Sequence, residues 1–173
     1  MCQNEVDFRL GDEHSRVVLL GACPGQEEFK QNRPFAGATG ANLDRMLEEL
    51  YVLQGQHFPS STRDDYTLMN AYGKPLWKGK DNDNRTIPTL TMVSDDSNID
   101  RLARQLRYCE ARTVLGLGTN KNNDSAARRA IRRLQPSFPS ITWFICGHPS
   151  PRAINRYAGG DAVEWLRHTF EEI

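Results

Sequence analysis

The sequence has no C-x-x-C pair, no G-K-[ST] and no complete G-x-G-x-x-G. The first absence removes a zinc ribbon or a simple iron–sulfur run from the readings of Cys2, Cys23, Cys109 and Cys146. The second excludes a P-loop nucleotide hydrolase, and the third leaves Leu115-Gly-Leu-Gly118 as a faint nucleotide loop at best. No apolar run approaches the roughly 20 residues of a membrane helix. The opening stretch MCQNEVDFRLGDEH carries neither a basic nor an apolar block, so no signal peptide is expected. A cytoplasmic location follows as an expectation, with free and mostly buried thiols. Excess charge is missing too: 22 basic side chains balance 22 acidic ones. That balance argues against bulk, non-specific coating of nucleic acid but leaves room for a local basic patch. There is no internal repeat, low-complexity segment or interdomain linker.

What is present suits one soluble α/β domain over residues 1–173. At 173 residues, with 38% hydrophobic and 25% charged side chains, the chain can bury a real core. Val17–Leu20, Tyr66–Met69, Thr113–Leu117 and Ile141–Cys146 are short, wholly apolar runs that read as buried strands. Between them lie helical patterns. Leu43, Met46, Leu47, Leu50 and Tyr51 form one stripe. Ile99, Leu102, Ala103 and Leu106 form another, with Ser97 as the expected cap. Residues 126–134 form a third helix, carrying Arg128, Arg129, Arg132 and Arg133. Val163, Leu166, Phe170 and Ile173 are expected on one face of a last helix. Residues 73–84 read as an exposed loop. Alternating strands and helices predict a parallel sheet covered on both faces, with ligands bound at the carboxyl ends of its strands.

Polar and Gly/Pro-rich residues gather at those ends. Gly21-Ala22-Cys23-Pro24-Gly25 allows a sharp turn and a close backbone approach. Phe35, on a Gly/Pro-rich loop, either plugs the core or stacks on a flat ring. Asn70 is either a turn residue or a carboxamide reading a base edge. His148, followed by Pro149-Ser150-Pro151, is either part of a rigid turn or a donor to a ligand oxygen. The arginines of residues 126–134 are either a solvated face or phosphate contacts. His14, His57 and His168 read as surface or packing residues.

Taken together, these pieces resemble the uracil-DNA glycosylase superfamily, most closely its family 4 type. Gly21-Ala-Cys-Pro-Gly25…Glu28…Arg33-Pro-Phe35-Ala-Gly37 is similar to G-E-x-P-G-x-x-E followed by R-P-F-V-G. Asn70 with Asn84-Arg85-x-x-Pro88 resembles T-N-V-x-K…N-R-x-P. Val114 to Gly118 resembles the third strand of the family, and His148-Pro-Ser-Pro151 its H-P-S-P motif. The likeness spans roughly residues 16–170, in order. It implies a three-layer αβα domain with a central four-stranded parallel sheet. It also implies hydrolysis of the N-glycosidic bond of a deaminated base flipped out of DNA.

By that resemblance, Phe35 stacks on the flipped base and Asn70 reads its amide edge. His148 donates to the carbonyl oxygen where negative charge develops, and backbone amides from Ala22 through Gly25 to Gln26 assist. The stretch from Pro149 through Ser150 and Pro151 to Tyr157 would press on the minor groove as a loop, with Arg152 and Arg156 on phosphates. The chain departs from the family pattern at three places. Ala22 and Cys23 stand where relatives carry the acid or amide that positions water, so that task is expected of Glu28, a neutral Cys23 thiol being poorly suited to it. The N-terminal C-x-x-C is missing, and Lys74 stands where a cluster cysteine follows the Asn motif. No iron–sulfur cluster, other metal or cofactor is therefore expected.

The expected function is a monomeric, monofunctional DNA glycosylase acting on uracil or another deaminated base, since no matched lysine is placed for Schiff-base chemistry. A catalytically weak or inactive base-binding module of the same fold is one alternative. A hydrolase of free nucleosides or nucleotides, which would need no DNA-wedging loop, is another.

Overall fold

The computed structural model describes residues 4–81, 84–118 and 124–173. Cys2 and positions 82 and 83 of the expected 73–84 loop lie outside the described residues. Four parallel strands form the centre: β3 (His14–Gly21), β4 (Tyr66–Asn70), β5 (Thr113–Leu117) and β6 (Thr142–Cys146), in the order β4-β3-β5-β6. They match the four apolar runs within a few residues. The described sheet is wider than four strands, however. β1 (Asn4–Glu5) and β2 (Phe8–Arg9) extend it antiparallel beyond β4, and β7 (Glu171–Glu172) does so beyond β6, making seven strands. Strands of two residues carry no periodicity to read, which is why pattern alone misses them.

Alternate residues of the central strands feed two cores, so the strands are apolar on both faces. Val18, Leu20, Val114 and Ile145 pack with Leu102, Leu106, Ile131 and Leu134. Those partners come from α4 (Asp96–Tyr108) and α5 (Ala126–Leu134). On the other face, Leu19, Leu68, Leu115 and Phe144 meet Leu43, Met46, Leu47 and Leu50 of α2 (Ala38–Gln54). The result is the expected αβα sandwich. Tyr51 departs from its expected stripe: it is 52% exposed, because Leu50 takes the inward place and Tyr51 falls at the rim.

Other boundaries differ for local reasons. The cap of α4 is Asp95, whose carboxylate accepts from the Ser97 amide at 3.0 Å, so Ser97 sits inside the helix. Two short helices, α1 (Gln26–Gln31) and α3 (Leu90–Ser94), fall in stretches to which the sequence pattern assigns no helix. The expected last helix is α7 (Ala162–Thr169), and a further helix, α6 (Pro151–Ala158), precedes it in the stretch expected as a loop; Gly159 and Gly160, at φ of 57° and 97°, part the two. Phe170 and Ile173 lie beyond α7. Phe170 still reaches the core by stacking on Phe144 at 5.2 Å between ring centroids, but Ile173 is exposed. Among the described residues, no helix is long and apolar enough to cross a membrane.

Connections leave β3 toward β4 and leave β5 toward β6 on the other side. The crevice outside the carboxyl ends therefore opens beside β3 and β5. Helix α7 anchors one wall of it. A Cβ on Gly147 would lie 2.2 Å from the Trp165 ring, and the Thr169 hydroxyl accepts the Gly147 amide at 2.8 Å. Only glycine permits that approach. Gly147→Ala should cost about 1–3 kcal/mol by overpacking. The check is a lower urea midpoint at unchanged m-value; a midpoint equal to the parent's would contradict this packing.

Candidate active site

The carboxyl ends of β3, β4 and β6 bring Ala22, Cys23, Gly25, Glu28, Phe35, Asn70 and His148 around one cavity of about 310 Å³. These are the catalytic and base-binding residues expected from the sequence, drawn from positions up to the far end of the chain. Gly21 makes the convergence possible: a Cβ there would sit 2.6 Å from the Asn70 carboxamide oxygen and 2.8 Å from the Phe35 ring. A larger cavity of about 610 Å³ lies behind Gly73, lined among others by Lys74, Met92 and Arg104. It contains none of the residues expected to be catalytic, base-binding or DNA-binding.

Asn70 ends β4 and is 1% exposed. Its Nδ2 is buried and, among the described residues, has no hydrogen-bond partner. A buried amide donor left unpaired costs about 1–3 kcal/mol, so native structures rarely keep one without a use. Here it borders a cavity. The side chain holds an unpaired donor, and the residue is the last of β4 rather than part of a turn.

Phe35 is part of the core around Leu43, as one of its readings expects, and also lines the cavity. Its backbone is left-handed at φ 55°, a strained state for an aromatic residue. Glu28 holds it there. One carboxylate oxygen accepts the Phe35 amide at 2.6 Å, and the other accepts the Gly25 amide at 2.6 Å. Glu28 thus staples the Gly25 turn to the Phe35 loop. Burial raises its pKa, and the two amide bonds oppose that rise. Glu27 also borders the cavity but pairs with Lys30 at 2.9 Å.

His148 follows β6 and its Nδ1 accepts the Ser150 amide at 3.0 Å. The ring proton therefore resides on Nε2. Trp165 Nε1 donates to the His148 carbonyl at 3.1 Å, and Gly118 underlies the ring, where a Cβ would meet Cδ2 at 3.4 Å. Burial lowers the His148 pKa from 6.5 to about 4. The imidazole is a neutral donor at physiological pH.

Cys23 donates to the Thr86 carbonyl at 3.7 Å, and burial, reinforced by Glu28, pushes its thiol up to about 12. It is a neutral group rather than a nucleophile. Ala22 contributes its carbonyl, which accepts the Tyr72 amide at 2.9 Å. The loop after Asn70 is held without metal ligands: Leu76 donates to the Pro24 carbonyl at 2.9 Å, and Trp77 packs on Phe29 at 5.2 Å. Cys109 and Cys146 are buried in separate parts of the fold. Among the described residues, no three His, Cys, Asp or Glu side chains come together as metal ligands. The cysteines present do not fit an iron–sulfur cluster.

The stretch expected as a wedging loop is a helix start. Ser150 caps α6, its hydroxyl accepting the Ala153 amide at 3.3 Å, and Pro151 takes the first helical position. Pro149 is buried, with its carbonyl accepting from Asn42 at 3.0 Å. Arg152 and Arg156 are exposed on α6. On α5, Arg129 and Arg132 pair with Asp124 at 2.7 and 3.4 Å, and Arg133 pairs with Asp96 at 2.9 Å, which favours the solvated-face reading. Motif reading missed Asp7 and Arg101, which lie behind Asn70; nothing in their local sequence marks them.

The His148 assignment carries a sign. Its folded pKa lies below its unfolded value, so its contribution to stability is complete above about pH 6.5 and is lost as pH falls toward 4. Imidazole nitrogen NMR should find the Nε2–H tautomer and no protonation of His148 down to about pH 5. A titration midpoint near the ordinary 6.5 would contradict the burial described.

The comparison with known families agrees with this geometry. The family described as Uracil DNA glycosylase superfamily matches residues 8–173, from β2 through the last residue. With that match over nearly the whole sequence, on an αβα fold whose strand-end motifs converge on one cavity, the chain belongs to the uracil-DNA glycosylase superfamily.

Proposed function

We propose that this protein is a monofunctional DNA glycosylase. It hydrolyses the N-glycosidic bond of uracil or another deaminated base after the nucleotide has flipped out of the helix. One observation carries the reading: Asn70, whose buried Nδ2 has no hydrogen-bond partner among the described residues, lines a cavity together with an aromatic ring and a neutral histidine. Uracil answers each feature. Its flat ring stacks on Phe35. Its ring N–H and adjacent carbonyl complement the Asn70 oxygen and Nδ2, whereas cytosine presents an amino group to that donor. Its other carbonyl gathers negative charge as the bond breaks, and the Nε2–H of His148 stabilises that charge without first losing a proton.

Water activation falls to Glu28 in this reading, through the lone pairs its two amide bonds leave free. Monofunctional chemistry is supported by the absence of lysine among the described residues lining the cavity. The exposed Arg152 and Arg156 supply phosphate contacts near α6, and the protein works as a monomer in the cytoplasm. A second reading has its own support. Both Glu28 oxygens are committed to amides, and Ala22 and Cys23 offer no carboxylate, which favours a module that binds a base without cutting.

Labelled oligonucleotides with U:G, U:A, single-stranded U, hypoxanthine or xanthine separate the two when abasic sites are cleaved with alkali. The glycosylase gives strand breaks on at least one of them and leaves free deoxyuridine intact. Binding without breaks on all of them supports the module. Hydrolysis confined to deoxyuridine would overturn both. Given cleavage, His148→Ala should lower kcat by about 10²–10³-fold, the scale for losing one donor to a developing anion. Glu28→Gln should reduce it by a similar factor; an unaffected variant would place water activation elsewhere.

A further inference from the structure

Arg101 of α4 reaches behind the cavity wall and touches four partners at once. It donates to the Asn70 carbonyl at 3.0 Å, to Asp7 Oδ2 at 2.6 Å, to Gln105 Oε1 at 2.9 Å and to Asn98 Oδ1 at 2.9 Å. Asn98, Arg101 and Gln105 recur at helical spacing on one face of α4. Asp7, Asn98 and Gln105 are buried, and Arg101 is partly buried. The same group continues along the chain after Asn70. Asn98 Nδ2 donates to the Ala71 carbonyl at 2.8 Å and to the Val93 carbonyl at 2.9 Å. Asp7 closes the circuit, its own carbonyl accepting the Asn70 amide at 3.0 Å. Gly73 lets the backbone lie against the pair: a Cβ there would sit 3.1 Å from both the Arg101 Nε and the Asp7 carboxylate.

Three successive peptides around Asn70 each share a hydrogen bond with this group, more than a strand end requires. β4 is already paired with β3 up to Asn70. The additional bonds fix the peptide that carries the base-reading side chain, whose Nδ2 has no partner of its own to hold it. We propose that Arg101 is a positioning residue for base recognition: with Asp7 and Asn98 it clamps the Asn70–Ala71 backbone so that the unpaired carboxamide stays aimed into the cavity. The proposal rests on the glycosylase reading for its functional meaning and on the geometry alone for the clamp. A planar guanidinium reaches four acceptors together; an ammonium keeps the charge facing Asp7 but not that fork.

The test compares Arg101→Lys with Leu102→Ala, a core truncation on the same helix that leaves the clamp intact. Amide hydrogen exchange reads the clamp without activity. In Arg101→Lys, exchange at Asn70 and Ala71 should quicken at least about tenfold more than at Leu68, because the local protection of that peptide is lost. In Leu102→Ala, any change should be shared along β4. Activity reads the consequence. Arg101→Lys should lose about 10- to 100-fold in kcat/KM, the scale of a misplaced recognition group, and should bind free uracil more weakly by a similar factor. Leu102→Ala should lower Tm with little change in either. Equal exchange at Asn70 and Leu68 in Arg101→Lys would overturn the clamp, as would a kcat/KM and uracil affinity matching those of Leu102→Ala. A wild-type protein that cleaves none of the oligonucleotides would overturn the glycosylase reading instead, and the exchange result would still decide the clamp.

Discussion

A carboxamide buried at the end of a strand without a partner is an energetic debt within the folded protein, and much of this structure is arranged around Asn70. Its Nδ2 lacks any acceptor although the residue is 1% exposed. Gly21 makes room for it, Phe35 faces it, and the Asp7–Arg101–Asn98 group holds its backbone. A ligand supplying an acceptor relieves the cost of the unpaired donor, and one presenting a donor does not. In the proposed function, selectivity for a base edge follows from that asymmetry more than from the shape of the cavity.

The polar groups around the cavity divide their labour by protonation state. His148 is neutral because burial disfavours its charge, so it can donate at neutral pH without titrating. Cys23 is neutral for the same reason with the opposite sign. Glu28 is the acid nearest the chemistry, yet it spends both oxygens on the amides of Gly25 and Phe35. That staple keeps Phe35 in its left-handed conformation. One side chain is thus asked to shape the pocket and, in the proposed reaction, to orient water. The replacement of acid or amide at positions 22 and 23 makes this double duty the chemical peculiarity of the chain.

The N-terminal strands and α4 act on the site from behind. β2 pairs with β4 through Phe8 and Met69, which brings Asp7 beside Asn70. Arg101 then ties the sheet edge to α4 and the loop after Asn70. Further along, that loop is tied by Leu76 to Pro24 and by Trp77 to Phe29. Hydrogen bonds, an ion pair and aromatic packing hold a segment for which the sequence offers no C-x-x-C pair.

Local sequence determined the layered fold and the residues at its strand ends. Apolar runs of strand length, stripes at helical spacing and Gly/Pro breaks are readable one element at a time, because periodicity records which face of an element is buried. The motifs around Gly21, Phe35, Asn70 and His148 were legible for the same reason, being short and contiguous. Tertiary structure alone decided what those residues do to one another. It turned Glu28 onto its neighbours' amides, left Asn70 Nδ2 unpaired among the described residues and folded the stretch expected as a wedging loop into the start of α6. It also brought Arg101 to Asp7 across a sequence separation of 94 residues. A contact of that kind depends on which strands become neighbours and which helix covers them, and no local periodicity encodes it.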